Sequence, residues 1–160
     1  MNEIVAVLYF CFWHQGTEAV ISTEYLESDL FFCFSNLMSE IKDGFTRELD
    51  KEKCGIDGKC RAFVKIISLI DPPVHRKLIE EKVLPQFYAL RWVMLLCVQE
   101  FDLFNCIRLW DSLFSDQNRF EFLSFVCAAL TESVHDEVIN GDFAQCMENL
   151  QAASKRFNDV

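Results

Sequence analysis

Residues Gln86 to Asp111 read QFYALRWVMLLCVQEFDLFNCIRLWD, and this stretch decides the fold. Between Phe87 and Phe101 almost every helical face is apolar, a pattern that belongs to a helix enclosed by protein or by lipid. Spanning a bilayer takes roughly 20 consecutive apolar residues. Here the run is interrupted at Arg91 and followed by Gln99 and Glu100. The stretch therefore predicts a central helix over residues 87–101, the most buried of the molecule. Asp102 is a good N-cap, and after it the pattern changes. Leu103, Cys106, Ile107, Trp110, Leu113 and Phe114 share one face, while Asn105, Arg108, Asp111 and Ser112 share the other. That alternation predicts a half-exposed helix packed against the first.

Working outward, the same periodicity predicts an all-α protein of about eight helices. Residues 2–14 carry Ile4, Val5, Leu8, Tyr9, Cys11 and Phe12 and leave little polar surface. Gln15 to Glu27 reads as a polar loop, with Ser28 as the N-cap of a helix built on Leu30, Phe34, Leu37, Met38 and Ile41 and ending near Gly44. Thr46 to Asp57 is charged and reads as a surface connection. Asp57 is the expected cap of a helix carrying Cys60, Phe63, Val64, Ile67 and Ile70, which Asp71-Pro72-Pro73 stops because a residue before proline is pushed out of the helical region. A short helix from Val74 to Val83 follows, and Pro85 separates it from the central one. Further on, Asp116 caps a helix running from Phe120 through Val138 to the Asn140-Gly141 stop. Asp142 and Gln145 form a capping box for a last helix. From Ala153 the chain is expected to fray, so one domain over residues 1–153 and a tail over 154–160 are expected.

Composition narrows the partners. A chain of 160 residues with 51% hydrophobic content and 16 Phe builds one sizeable core. Its 25 acidic and 15 basic residues give a net charge of -10, which argues against a nucleic-acid backbone and against an anionic membrane surface. No transmembrane segment is predicted. The apolar run Ile4–Trp13 lacks the basic flank and small-residue cleavage site of a signal peptide. Six of the eight cysteines fall in apolar helical runs, where a thiol acts as a small hydrophobe. Cys54 and Cys60 flank a polar loop without a metal-ligand spacing, so no metal site is expected. His14, His75 and His135 lie far apart and near no nucleophile motif, so no autonomous active site is expected.

Several motifs fall together. Phe87, Ala89, Leu90, Arg91 and Trp92, then Gln99, Glu100 and Phe101, then Arg108, Trp110 and Asp111 resemble the F-x-x-R-W, E-F and R-x-W-D signature of TBC domains, helical activators of Rab GTPases. Met1-Asn2-Glu3-Ile4 is similar to the residues that follow Y-x-Q-G in that family, and Asp29 to Ile41 resembles its D-x-F-x-x-F-x-x-L-M segment. The resemblance implies an orthogonal helical bundle, the greater C-terminal part of a TBC domain. It implies a Rab GTPase as partner, with GTP and Mg carried by the Rab and no cofactor of the chain's own. It also implies a role in vesicle trafficking, in the cytoplasm or peripherally on vesicle membranes through the Rab. Asn2 and Glu3 would be the partner-facing residues, and Arg91, Trp92, Glu100, Phe101, Arg108, Trp110 and Asp111 the structural motif.

The same family supplies two catalytic fingers, an Arg from I-x-x-D-x-x-R and a Gln from Y-x-Q-G, and neither motif occurs in these residues. The N-terminal half of the domain that carries them would precede residue 1, so the chain alone is expected to be inactive. The alternative is a non-catalytic helical interaction module. Arg91 invites comparison with an arginine finger, but a central helix would hold it inside, paired with a carboxylate from another helix. Glu3 or Asp111 are the expected partners, because Glu100, nine residues on, falls on the opposite face of a continuous helix. Trp92 and Trp110 read as packing. Helix 2–14, apolar on most sides, is expected to leave a contiguous apolar patch.

Overall fold

The chain folds around α5 (Ala89–Met94), a short helix wedged between α3 (Ile56–Ile70) and α7 (Arg119–Glu132). These coordinates come from a computed structural model, which describes residues 1–18, 23–45 and 55–157. Among them nine α-helices and short 3-10 turns make an all-α fold with no strand. The remaining helices are α1 (Asn2–Glu18), α2 (Leu26–Ile41), α4 (Pro72–Glu80), α6 (Leu103–Ser115), α8 (His135–Asn140) and α9 (Phe143–Gln151). One apolar core runs from Ile4 of α1 to Ala153, through Phe63, Trp92, Leu113, Leu123 and Leu150. No helix among the described residues is long and apolar enough to cross a membrane.

Local chemistry explains most of the boundaries. The Asp71 side chain accepts from Val74 N at 3.2 Å, so one residue closes α3 and caps α4, with prolines in the first turn where no N–H is missed. Asp102 caps α6 through Asn105 N at 3.0 Å, and the Asp142–Gln145 capping box opens α9 as expected. Gly141 ends α8 at a close approach: a Cβ there would stand 2.8 Å from the Glu137 carbonyl oxygen.

Elsewhere the structure corrects the sequence reading. The helix expected over residues 87–101 ends at Met94, and residues 95–100 are turns. A 3-10 turn, Pro85–Phe87, precedes it, with Phe87 half exposed. α1 continues to Glu18 into the expected loop; residues 19–22 and 46–54 lie outside the described ones. Ser28 sits inside α2 and donates to the Tyr25 carbonyl at 2.8 Å instead of capping. Asp57 lies in the first turn of α3, whose cap position is Gly55. Asp116 folds back on Asn118 N at 2.6 Å, one turn before α7. The single helix expected from Asp116 to Asn140 breaks at Ser133-Val134. There the Ser133 hydroxyl donates to the Leu130 carbonyl at 2.7 Å and Val134 N turns to Thr131 O, local bonds that compete with helix continuation. Ala153–Phe157 forms a 3-10 turn with Ala153 and Ser154 buried, where fraying was expected.

Two helix ends share a geometry that sequence alone conceals. At the end of α4, Val83 N donates to Leu78 O at 2.9 Å and Lys82 N to Ile79 O at 3.1 Å, with Lys82 at φ 58°. At the end of α5, Cys97 N donates to Trp92 O at 2.9 Å, with Leu96 at φ 51°. These are Schellman-type ends, which ordinarily place glycine where these have Lys82 and Leu96. Cys97 is also left-handed, at φ 59°.

Candidate functional site

The left-handed pair Leu96-Cys97 reverses the chain after α5 and brings Glu100 back beside Arg91. Arg91 Nε donates to a Glu100 carboxylate oxygen at 2.6 Å. The other oxygen accepts from the Ser154 hydroxyl at 3.2 Å. Glu100 is almost completely buried, whereas the Arg91 side chain is 42% exposed. The expectation of a buried Arg91 paired with Glu3 or Asp111 is thus corrected. The opposite-face argument assumed a continuous helix, and the turn removes that assumption.

Other motif residues converge on the same turn. Trp110 of α6 donates its indole N–H to the Leu96 carbonyl at 3.0 Å, so the two halves of the central stretch are tied at the point of reversal. Trp92 is fully buried, and its carbonyl holds Cys97 through both N–H and thiol, the latter at 3.6 Å. The Trp92 indole N–H has no hydrogen-bond partner, and the ring meets Tyr88 at 5.4 Å in a T-shaped contact. Glu3 of α1 accepts from Gln99 at 3.3 Å, so the N-terminal motif meets the central one. Asn2 is exposed at the start of α1.

The remaining motif residues lie beside the turn. Phe101 packs on Phe157 at 6.5 Å, and with Leu109 and the exposed Arg108 they border an open groove of about 320 Å³. Asp111 is exposed on the far side of α6, and its charge adds to burial in pushing the Cys11 thiol up. Sequence reasoning missed Ser154 and the Leu96-Cys97 reversal, which carry no glycine, proline or cap as a signal.

No reactive constellation emerges elsewhere among the described residues. Among the described residues no cluster of three metal-binding side chains occurs. Cys60 and Cys106 are buried thiols pushed up to about 11 chiefly by burial, far from the thiolate form that metal binding or nucleophilic attack requires. His135 stands 2.6 Å from the buried Asp71, an imidazole–carboxylate pair that the sequence did not suggest. Among the described residues no hydroxyl or thiol hydrogen-bonds to this imidazole, so the pair joins α8 to the α3–α4 corner rather than activating a nucleophile. Around α1 the expected apolar surface is occupied by Tyr9 stacked on Trp13 at 6.0 Å, both near half exposed, and by Phe10 against the exposed Phe104 at 6.2 Å.

Comparison with known proteins finds relatives over most of the chain. A model of the Rab-GTPase-TBC domain matches residues 1–139. TBC1 domain family member 13 of Homo sapiens is 44% identical over 94% of this chain, and the match takes in 37% of the human protein. A TBC domain-containing protein of Schizosaccharomyces pombe is 30% identical over 95% of the chain and 27% of its own length. TBC1 domain family member 22A of Homo sapiens is 33% identical over 79% of the chain and 24% of its own length. The chain thus spans about a third or less of these relatives. The all-helical fold agrees with the family match over residues 1–139 and with the 44% identity over most of the sequence: this chain belongs to the Rab-GTPase-TBC domain family.

Proposed function

We propose that this chain is the C-terminal, Rab-facing part of a GTPase-activating TBC unit that acts in vesicle trafficking. Within this chain the unit reaches past the matched 139 residues, because Leu150 and Ala153 are wholly buried in the common core and Ser154 bonds to Glu100. The observation that carries the reading is the Glu3–Gln99 hydrogen bond. It fixes the first turn of α1 against the motif turn and leaves Asn2 exposed beside it, at positions similar to those that follow the glutamine finger in the family. Rab-bound GTP is hydrolysed faster when water is positioned and positive charge is added at the phosphoryl group. The two motifs credited with this in the family do not occur in these residues. We infer that these residues act as a scaffold for fingers carried elsewhere in the unit. GTP and Mg come with the Rab, at a cytoplasmic or vesicle-peripheral location.

A chimera tests this: a segment carrying the I-x-x-D-x-x-R and Y-x-Q-G motifs joined ahead of this chain, assayed for GTP hydrolysis on a Rab panel. Asn2→Ala and Glu3→Gln are then introduced. The second keeps an acceptor for Gln99 while removing the charge. The proposal expects lower kcat/KM with an unchanged melting temperature. Activity unaltered by either substitution would remove Asn2 and Glu3 from the Rab interface.

A further inference from the structure

We propose a small-molecule site in the corner between α3 and α4, a cavity that takes a medium-chain aliphatic carboxylate with its anionic head at Lys82. The cavity is partly enclosed and holds about 220 Å³. Ile67 of α3, Leu78 of α4 and Tyr88 line it, each at least nine-tenths buried, while the exposed Ile79 and Leu84 stand at its mouth. An apolar recess with a few polar groups is the ordinary form of a ligand site. A dry apolar cavity of about 150 Å³ accepts benzene, so this volume suits a tail of about seven or eight carbons. None of the lining residues belongs to the Arg91–Glu100 turn or to α1, so the inference stands apart from the Rab reading.

Lys82 decides the head. It ends α4 at φ 58°, a left-handed position that glycine fills at lower cost, so the backbone alone gives no reason for lysine there. Strain kept in a residue other than glycine points to a use for its side chain. Among the described residues that side chain makes no ion pair or hydrogen bond, and no aspartate or glutamate lines the cavity. Of the two acids just before it, Glu81 is held by Lys77 at 2.8 Å and Glu80 lies outside the lining. The His75 ring, likewise unpartnered among the described residues, adds a nitrogen to the same lining. A cation beside an apolar recess with no acid in its walls complements a carboxylate on an aliphatic tail, which fills the recess while its head meets the ammonium. The net charge of -10 repels anions from the chain as a whole, so retention of one must come from this local pairing.

Octanoate, octanol and octylamine, titrated into the full chain and followed by amide NMR shifts, separate the head from the tail. The proposal expects saturable octanoate binding with shifts centred on the cavity lining, at least tenfold tighter than octanol or octylamine. Butanoate, which leaves most of the cavity empty, should also bind at least tenfold more weakly. Lys82→Gly relieves the left-handed strain, so it should melt no lower than the native chain while weakening octanoate tenfold or more and leaving octanol unchanged. A merely structural role for the lysine cannot produce that combination. Lys82→Arg keeps the cation and should bind octanoate within about threefold of the native chain. Ile79→Glu places a like charge at the exposed mouth and should weaken octanoate tenfold. No saturable octanoate binding, octanol bound as tightly, an unchanged affinity in Lys82→Gly, or shifts away from the lining would each overturn the proposal.

Discussion

Arg91 Nε and a Glu100 carboxylate oxygen stand 2.6 Å apart because Leu96 and Cys97 turn the chain back between them. The buried member is the acid, so removing the base leaves a buried carboxylate without its cation. Arg91→Met should destabilise the fold by about 2 kcal/mol, less than the loss of a wholly buried pair because the guanidinium was already partly solvated. Glu100→Gln should cost less, since the amide oxygen can still accept from Arg91 or Ser154. Urea unfolding of both variants checks the order; a larger loss for Glu100→Gln would contradict it.

The two motif tryptophans are both buried, yet only one has a hydrogen-bond partner. Trp110→Phe leaves the Leu96 carbonyl without its donor, whereas Trp92→Phe removes ring volume from an indole that donates to nothing. Trp110→Phe should therefore be the more destabilising by about 1 kcal/mol. Equal melting temperatures for the two variants would count against the Trp110–Leu96 tie.

How much of this was visible beforehand depended on whether a signal is local. Asp71-Pro72-Pro73, Asp102 and the Asp142–Gln145 box are caps written in a few adjacent residues, and the structure uses all of them. The reversal after α5 is made by leucine and cysteine in a conformation that costs an L-residue roughly 1–2 kcal/mol. Tertiary ties hold it: the Leu96 carbonyl receives Trp110, and Glu100 receives Arg91 and Ser154. No periodicity encodes such ties, so the sequence reading carried one straight helix through residue 101 and assigned Arg91 the wrong partners. Motif recognition grouped Arg91, Glu100 and Trp110; the contacts they make required the turn.

Lys82 makes a separable case of the same backbone geometry. It is exposed, so glycine there would release left-handed strain without removing core volume. Lys82→Gly should stabilise the protein by about 1 kcal/mol. Leu96→Gly should destabilise it despite the same relief, because a buried leucine side chain is worth about 2–5 kcal/mol. Thermal denaturation of both variants reads the opposite signs directly.

The His135–Asp71 pair sets a pH dependence. The hydrogen bond to Asp71 raises the imidazole above its usual range, outweighing the opposing effect of burial. A raised folded-state value means the extra stability is fully present below about 6.5, the ordinary imidazole value, and fades as pH climbs through the raised one. The stability gap between the native chain and His135→Gln should therefore be wider at pH 6 than at pH 8.5. A gap that widens with pH would reverse the sign and refute the pairing.

We propose that this chain supplies the scaffold and Rab-facing surface of a TBC unit whose catalytic fingers lie on other residues. Single-turnover GTP hydrolysis on a Rab panel tests it most directly, comparing the 160-residue chain with the chimera that adds a segment carrying the I-x-x-D-x-x-R and Y-x-Q-G motifs. The account predicts no acceleration by the chain alone and stimulation of at least ~10³-fold on a cognate Rab by the chimera, the range an arginine finger provides. Tenfold or greater stimulation by the chain alone would contradict it and point to Arg91 or Arg108 as fingers. A folded but inactive chimera would contradict it from the other side and favour a non-catalytic interaction module.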